Sequence, residues 1–444
     1  AGATWTNTGG LQVGEYGAGT LGITNGGSVS NTTGHIGRVA AASGAVTVSG
    51  ADSTWTNTSS LYIGGSSTAA GGTGTLTVET EGTVDVAGTL RVWSTGTLAL
   101  DGGQINTGSF VVATGGTFTH HDGVLTINAG TFTPGTAGYT IDSDSPGGLP
   151  TVKLAGGATA NLAGPLTVGN NHAGALEVRS GSSVSGITIA YIGYGAGSTG
   201  TVTVDGAGST WTNNGGLSVG SYGSGSLAIT DGGSVSNTDG QIGFISGSVG
   251  TVTVEDATWT NSSELHVGQY GTGTMEITNG GRVSNTIGYI GTMEAASGTV
   301  TVSGADSTWT NNGGLHIGGS STAAGGRGGL TVQAGGTVSV TDMIEIWNSG
   351  TLTLDGGRVE CQVFANWDGG TFQFNSGTLA FLGDLTIRWA NPFHAVGGDA
   401  ISSGRSLEVA GTLHVGSKEP GVLEIVGGGH VSTTHAYDGP GTVT

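Results

Sequence analysis

The sequence predicts an all-β fold, a parallel β-helix (β-solenoid) with three short strands per coil, and three observations carry that expectation. First, the chain repeats itself: residues 52–72 (DSTWTNTSSLYIGGSSTAAGG) and 306–326 (DSTWTNNGGLHIGGSSTAAGG) differ at only four positions. Second, Val, Leu and Ile recur at period two, separated by clusters of Gly, Ser, Asn and Asp, which marks strands with one buried face joined by turns. Third, no stretch carries helical periodicity.

The repeat unit is found by splitting a longer one. The Trp phrase recurs at Trp5, Trp55, Trp211, Trp259 and Trp309, about 50 residues apart where copies are adjacent. Each such interval divides into equivalent halves. Setting LSVGSYGSGSLAITDGGSVSN from Leu217 over GQIGFISGSVGTVTVEDATWTN from Gly240 places Val219 on Ile242, Leu227 on Val252, Ile229 on Val254 and Val235 on Trp259. A coil is therefore about 24 residues, shortening to about 20 around Leu90 to Phe132 and Ile344 to Ile387. Such a unit cannot bury its apolar side chains alone and must stack on copies of itself. Roughly 18 to 20 coils would result. A β-propeller is the rival, but its blades need four unlike strands, whereas these halves are alike.

Trp and Val alternate along one interior row, so the Trp reads as core, its bulk set between smaller neighbours. Two residues on, Asn213, Asn237, Asn261, Asn285 and Asn311 recur, as do Asn7, Asn31 and Asn57. This row reads as a structural ladder of stacked amides. The sequon-like triplets at Asn31, Asn57 and Asn261 are its by-product. Above the coil, about 5–132 corresponds to about 259–386 at an offset of 254, a duplicated block within what reads as one continuous domain over 1–444.

Composition narrows the function. Gly accounts for 93 of 444 residues, and only 9% are charged, yet the regular apolar alternation argues against disorder. A formal charge of −20 sets aside nucleic acid and anionic membranes as partners. The single cysteine, Cys361, excludes an internal disulfide framework. There is no apolar run of membrane-spanning length, and any membrane anchor is expected outside this sequence.

Motifs for nucleotides, metals or nonapeptide calcium sites are absent, and no cofactor is expected. His120-His121-Asp122 reads as a polar turn rather than a metal site. Asp101 and Asp355 precede Gly-Gly pairs and read as turn formers, with Asp368 at another corner. No catalytic residue is assigned.

One face is set apart. The middle residue of the LxVG strand should point to solvent, which places Ser218, Gln241, His266, Tyr289, His316 and Glu345 in one outward row. Trp347, Trp367 and Trp389 follow at strand ends, and the adjacent turn adds Tyr194, Tyr222, Phe244 and Tyr270. Exposed aromatic rows can stack on sugar rings or protein surface, so His266, Tyr289, His316, Trp347, Trp367 and Trp389 are the candidate ligand-binding residues. The alternative is that the rings only stack on one another and stiffen the coil stack.

The pattern STWTNxGxLxVGxxGxGxLxITxGGxVSN, as in Ser209 to Asn237, resembles the repeat of autotransporter passengers (type V secretion) and PEP-CTERM surface proteins. That resemblance implies export and a β-helical stalk at the bacterial surface, and it transfers no catalytic residue. The expectation is thus a non-catalytic, extracellular, adhesin-like stalk whose partners are glycans or a surface protein of a host or neighbouring cell. Two alternatives are a secreted polysaccharide lyase or glycoside hydrolase on the same fold, and a filament former. The uncapped ends, AGATWTN and GPGTVT, lead to the further expectation of a longer array or of end-to-end self-association.

Overall fold

The structure is a computed structural model describing residues 2–366, 369–387, 400–415, 422–438 and 442–443. Every element among them is a β-strand. The chain divides into two compact units, Ala1–Gly215 and Gly216–Thr444, and each is a parallel β-solenoid. About 16 turns are formed among the described residues, fewer than the 18 to 20 expected.

A coil of the second unit shows how the sequence dictates the fold. A long strand, Ser224–Thr230, alternates exposed and buried residues and sends Leu227 and Ile229 inward. A Gly-containing turn leads to Ser234–Asn237, and a second turn to the short strand Gly240–Ile242. The next coil repeats the path through Val249–Glu255, Thr258–Asn261 and Glu264–Val267. All four stacked pairs expected from the alignment occur: Val219 on Ile242, Leu227 on Val252, Ile229 on Val254 and Val235 on Trp259.

Where a glycine closes the short strand, as Gly243 does, it is required twice over. Gly243 has φ 69°, and a Cβ there would lie 2.3 Å from the Thr272 carbonyl oxygen, at the start of the strand Thr272–Thr278. Any side chain would be both strained and in collision.

In the first unit the coils contract as the sequence indicated. Leu61 stacks on Leu90 across a wide coil, whereas Leu90 stacks on Phe110 across a narrow one. Contraction removes turn residues, so neighbouring strands fuse into Gly96–Val112 and Thr117–Asn128, which bend at register shifts instead of at open turns. The second unit does the same in Gly350–Cys361 and Thr371–Phe381. Asp101 and Asp355 sit at these shifts inside continuous strands, which corrects their assignment to turns. His120, His121 and Asp122 also lie within a strand, Thr117–Asn128, not in a polar turn.

The interior Trp row is buried completely at Trp55, Trp211, Trp259 and Trp309, while Trp5 is 48% exposed. Two devices accommodate the indoles. In the coil before each of Trp55, Trp259 and Trp309, the short strand carries Gly34, Gly240 or Gly288 in register with Leu61, Leu265 or Leu315 of the Trp coil. A Cβ at Gly240 would lie 2.5 Å from Asn261 Oδ1, 2.7 Å from Leu265 Cδ1 and 3.0 Å from Trp259 Cζ2. Glycine on one coil thus makes the space for tryptophan on the next. Before Trp211 the residue is Ala190, and there the preceding strand shifts register between Val184 and Ile187.

The second device is a hydrogen-bond relay. The Trp259 indole N–H donates to Asn237 Oδ1 at 2.7 Å, and Asn237 Nδ2 donates to Asn261 Oδ1 at 2.6 Å. Trp309, Asn285 and Asn311 repeat it, as do Trp55, Asn31 and Asn57. The relay stops there: Nδ2 of Asn57, Asn261 and Asn311 has no partner. The asparagine row is therefore built from two-coil dyads and is not the continuous ladder expected. In each dyad the indole N–H donates to the oxygen of the first asparagine. Asn213 stands outside this pattern: Ile187 occupies the asparagine place in the coil before it, and the Trp211 N–H has no acceptor.

Candidate functional site

The row expected to face solvent lies outside the core but is not solvated. In the second unit His266 and Tyr289 stack with ring centroids 4.5 Å apart and planes 7° apart, and Tyr289 stacks on His316 at 5.1 Å. His316 Nδ1 then meets Glu345 Oε2 at 2.7 Å. Ser218, His266, Tyr289, His316 and Glu345 are all buried, and Gln241 is half-buried. Their expected exposure is corrected on a simple physical ground: period two fixes which side of a strand a residue takes, not whether a loop covers that side. Here side chains from its own strand and from neighbouring turns cover it. Thr292 Oγ1 lies 3.2 Å from His266 Nδ1, Glu264 Oε2 lies 3.2 Å from His266 Nε2, and Ser321 hydrogen-bonds the Tyr289 side chain. Burial holds the His266 imidazole below its ordinary pKa, against the opposing pull of the Glu264 carboxylate.

The first unit carries the duplicate of this row with other residues. Gln12, His35, Tyr62 and Arg91 stack in register, with His35 and Tyr62 rings 5.2 Å apart, and are more exposed. Desolvation lowers the His35 pKa, and Arg38 adds to that.

Trp347 acts as a clamp. Its indole N–H donates to the Ser320 carbonyl at 2.8 Å, and its ring lies where a Cβ on Gly319 would sit, 2.5 Å from Cδ1. The loop it holds is pinched by an antiparallel bridge between Gly319 and Ala324. Trp93, Ser66, Gly65 and Ala70 form the same arrangement in the first unit. The partner of this clamp, Trp93, was missed in the sequence, although the offset of 254 pointed to it. Trp367, Trp389 and Asp368 lie outside the described residues. Of the turn aromatics, Tyr194, Tyr222 and Tyr270 are exposed and Phe244 is half-buried.

The His120-His121-Asp122 cluster has structural partners. His121 is ion-paired with Asp144, and Asp122 Oδ1 accepts backbone N–H bonds from Gly123 and Leu149, each at 2.8 Å. His120 Nε2 lies 3.0 Å from the Gly123 carbonyl oxygen, and burial takes its pKa down to about 4. Cys361 is buried, which pushes its thiol up to about 12 and leaves it unreactive at neutral pH. Among the described residues no group of three or more His, Cys, Asp or Glu is placed to hold a metal ion.

No family model matches the chain. No curated protein matches it either. Among solved structures, the fold is similar to a hyper-glycosylated TibA55-350 fragment, glycosylated by TibC, at 20% identity. The match covers 84% of this chain and 97% of that one, with a TM-score of 0.33. At that score the similarity carries no functional weight.

Proposed function

We propose that the chain is a non-catalytic β-solenoid stalk of a bacterial surface or secreted protein, adhesin-like in displaying an outer face to glycans or to another cell's proteins. The observation that carries this reading is where the reactive side chains are spent. The row His266, Tyr289, His316 and Glu345 is buried in coil-to-coil stacking, and the Trp and Asn rows are buried in relays. Groups that an enzyme would aim at a substrate instead fasten one coil to the next. The likeness of the STWTN pattern to exported passenger repeats supports the extracellular setting.

Two measurements test it. Incubation with neutral and uronate polysaccharides should release neither reducing ends nor unsaturated uronates, and protease added to intact cells of the source organism should cut the chain. Product formation abolished by a single carboxylate substitution would sink the non-catalytic reading. Detection only after cell lysis would sink the surface setting.

A further inference from the structure

The contracted coils of the first unit open a groove of about 330 Å³ on the outside of the solenoid. It runs along the corner that follows the Trp strand, across four stacked coils. Thr58 and Asn128 stand at its ends, the buried Asn57, Val86 and Thr107 lie beneath it, and the small residues Ala87 and Gly108 line its middle. Three steps at the usual inter-strand spacing make it about 14 Å long.

One side of the groove carries a fixed polar pair. Asp85 and Asn106 are stacked in register, and Asn106 Nδ2 donates to Asp85 Oδ1 at 2.8 Å. That bond uses one carboxylate oxygen and one amide hydrogen. The second oxygen and the amide carbonyl have no protein donor among the described residues.

The duplicated block supplies a built-in control. Ala87 corresponds to Thr341 and Gly108 to Gln362, both bulkier, and Asn128 corresponds to Leu382. The polar pair is lost as well: Ser339 and Glu360 stand in register there, and Glu360 is tied to Arg358 in an ion pair at 3.0 Å. The same scaffold has thus been written once with small residues along this corner and a free acid–amide pair, and once without either.

We infer that this groove binds a neutral oligosaccharide. The inference names a ligand class for the display reading above and rests on it. Hydroxyls of a sugar donate to the free Asp85 oxygen and the Asn106 carbonyl, while its C–H faces lie against the Thr56, Thr58 and Ala87 side chains of the lining. No Lys or Arg lines the groove, and the chain carries a formal charge of −20, so an anionic ligand has nothing to attract it.

The test is an array of neutral oligosaccharides followed by titration calorimetry, with pentalysine and oligogalacturonate as charged probes. Two variants are compared. Ala87→Thr introduces the bulkier residue of the other copy into the groove lining, and Asn106→Ala removes the pair without adding bulk. Gly108 is left alone because a Cβ there would lie 2.6 Å from the Ala87 carbonyl oxygen. Binding of a neutral oligosaccharide that weakens roughly tenfold or more in both variants, with unchanged unfolding midpoints, supports the groove. No binding on the array, or binding indifferent to both variants, overturns it. Preference for pentalysine or oligogalacturonate at the same site overturns the ligand class. Recovery of the bound sugar in cleaved form would defeat the non-catalytic reading and leave the groove standing.

Discussion

Asn237 and Asn261 look interchangeable in the sequence, yet the dyad makes them unequal. Asn237 accepts from the Trp259 indole and donates to Asn261, whereas Asn261 only accepts and leaves its own Nδ2 without a partner. Asn237→Ala strands two buried groups and should cost about 2–3 kcal/mol, while Asn261→Ala strands one and should cost about 1 kcal/mol. Chemical denaturation of the two variants checks the order, and equal losses would contradict the relay. By the same logic Trp211→Phe should cost less than Trp259→Phe, because the Trp211 N–H already lacks an acceptor. The dyad was partly legible. Trp and Val alternation is plain, and so is the asparagine spacing, but the answering alternation of Gly34, Gly240 and Gly288 with Leu61, Leu265 and Leu315 was a signal left unread. Glycine in a glycine-rich chain draws no notice until a Cβ is built on it.

The strands and loops show which parts of a solenoid are legible and which are not. Register was legible because stacked coils repeat the same letters, so Val235 falls on Trp259 in the alignment and in the fold. Loop cover was not, because the residues that bury His266 and Tyr289 lie in a neighbouring coil and a longer loop. The Trp clamp yields a prediction here. Trp347→Ala removes the indole tie to Ser320, so the loop over residues 318–326 should become sensitive to limited proteolysis, and Trp93→Ala should expose 64–72 in the same way. Unchanged cleavage patterns would show the rings to be incidental. A second prediction concerns pH in the strand Thr117–Asn128. His120 has a folded pKa of about 4, below its unfolded value near 6.5, so the unfolded chain binds the extra proton first. Its stability contribution is complete above pH 6.5, falls as pH drops from there towards 4, and is level below. Asp122, His121 and the Gly123 carbonyl face the ring and are retained by the substitution that tests it, His120→Phe, which copies Phe374 of the other block. The difference in melting temperature between variant and wild type should shift in the variant's favour between pH 6.5 and 4. A pH-independent difference would place the proton elsewhere.

At the scale of the whole chain, composition and periodicity were enough to give an all-β solenoid, because few folds accept a fifth of their residues as glycine while keeping an unbroken apolar alternation. They gave no ligand, since a groove depends on what is small at one corner, as Ala87 and Gly108 are, and small residues carry no chemistry of their own to notice. The architecture itself makes a claim that can be tested. Strand pairing joins each coil to the coil before and after it, with a rare longer tie such as Arg358–Glu408, so stability should be close to the sum of coil terms and neighbour terms, and damage should stay local. Gly240→Ala is suited to the test, because its Cβ would press on Asn261, Leu265 and Trp259 of a single neighbouring coil. Hydrogen exchange should speed up in Gly240–Ile242 and in the strands paired with it, Leu217–Val219 and Glu264–Val267. Protection should recover within a coil or two, so that Ser297–Ser303 and Arg327–Gln333 of the same unit exchange as in the wild type. If protection instead falls evenly across all of these strands, the unit opens as one cooperative body, and coil-by-coil additivity is the wrong description of what holds it together.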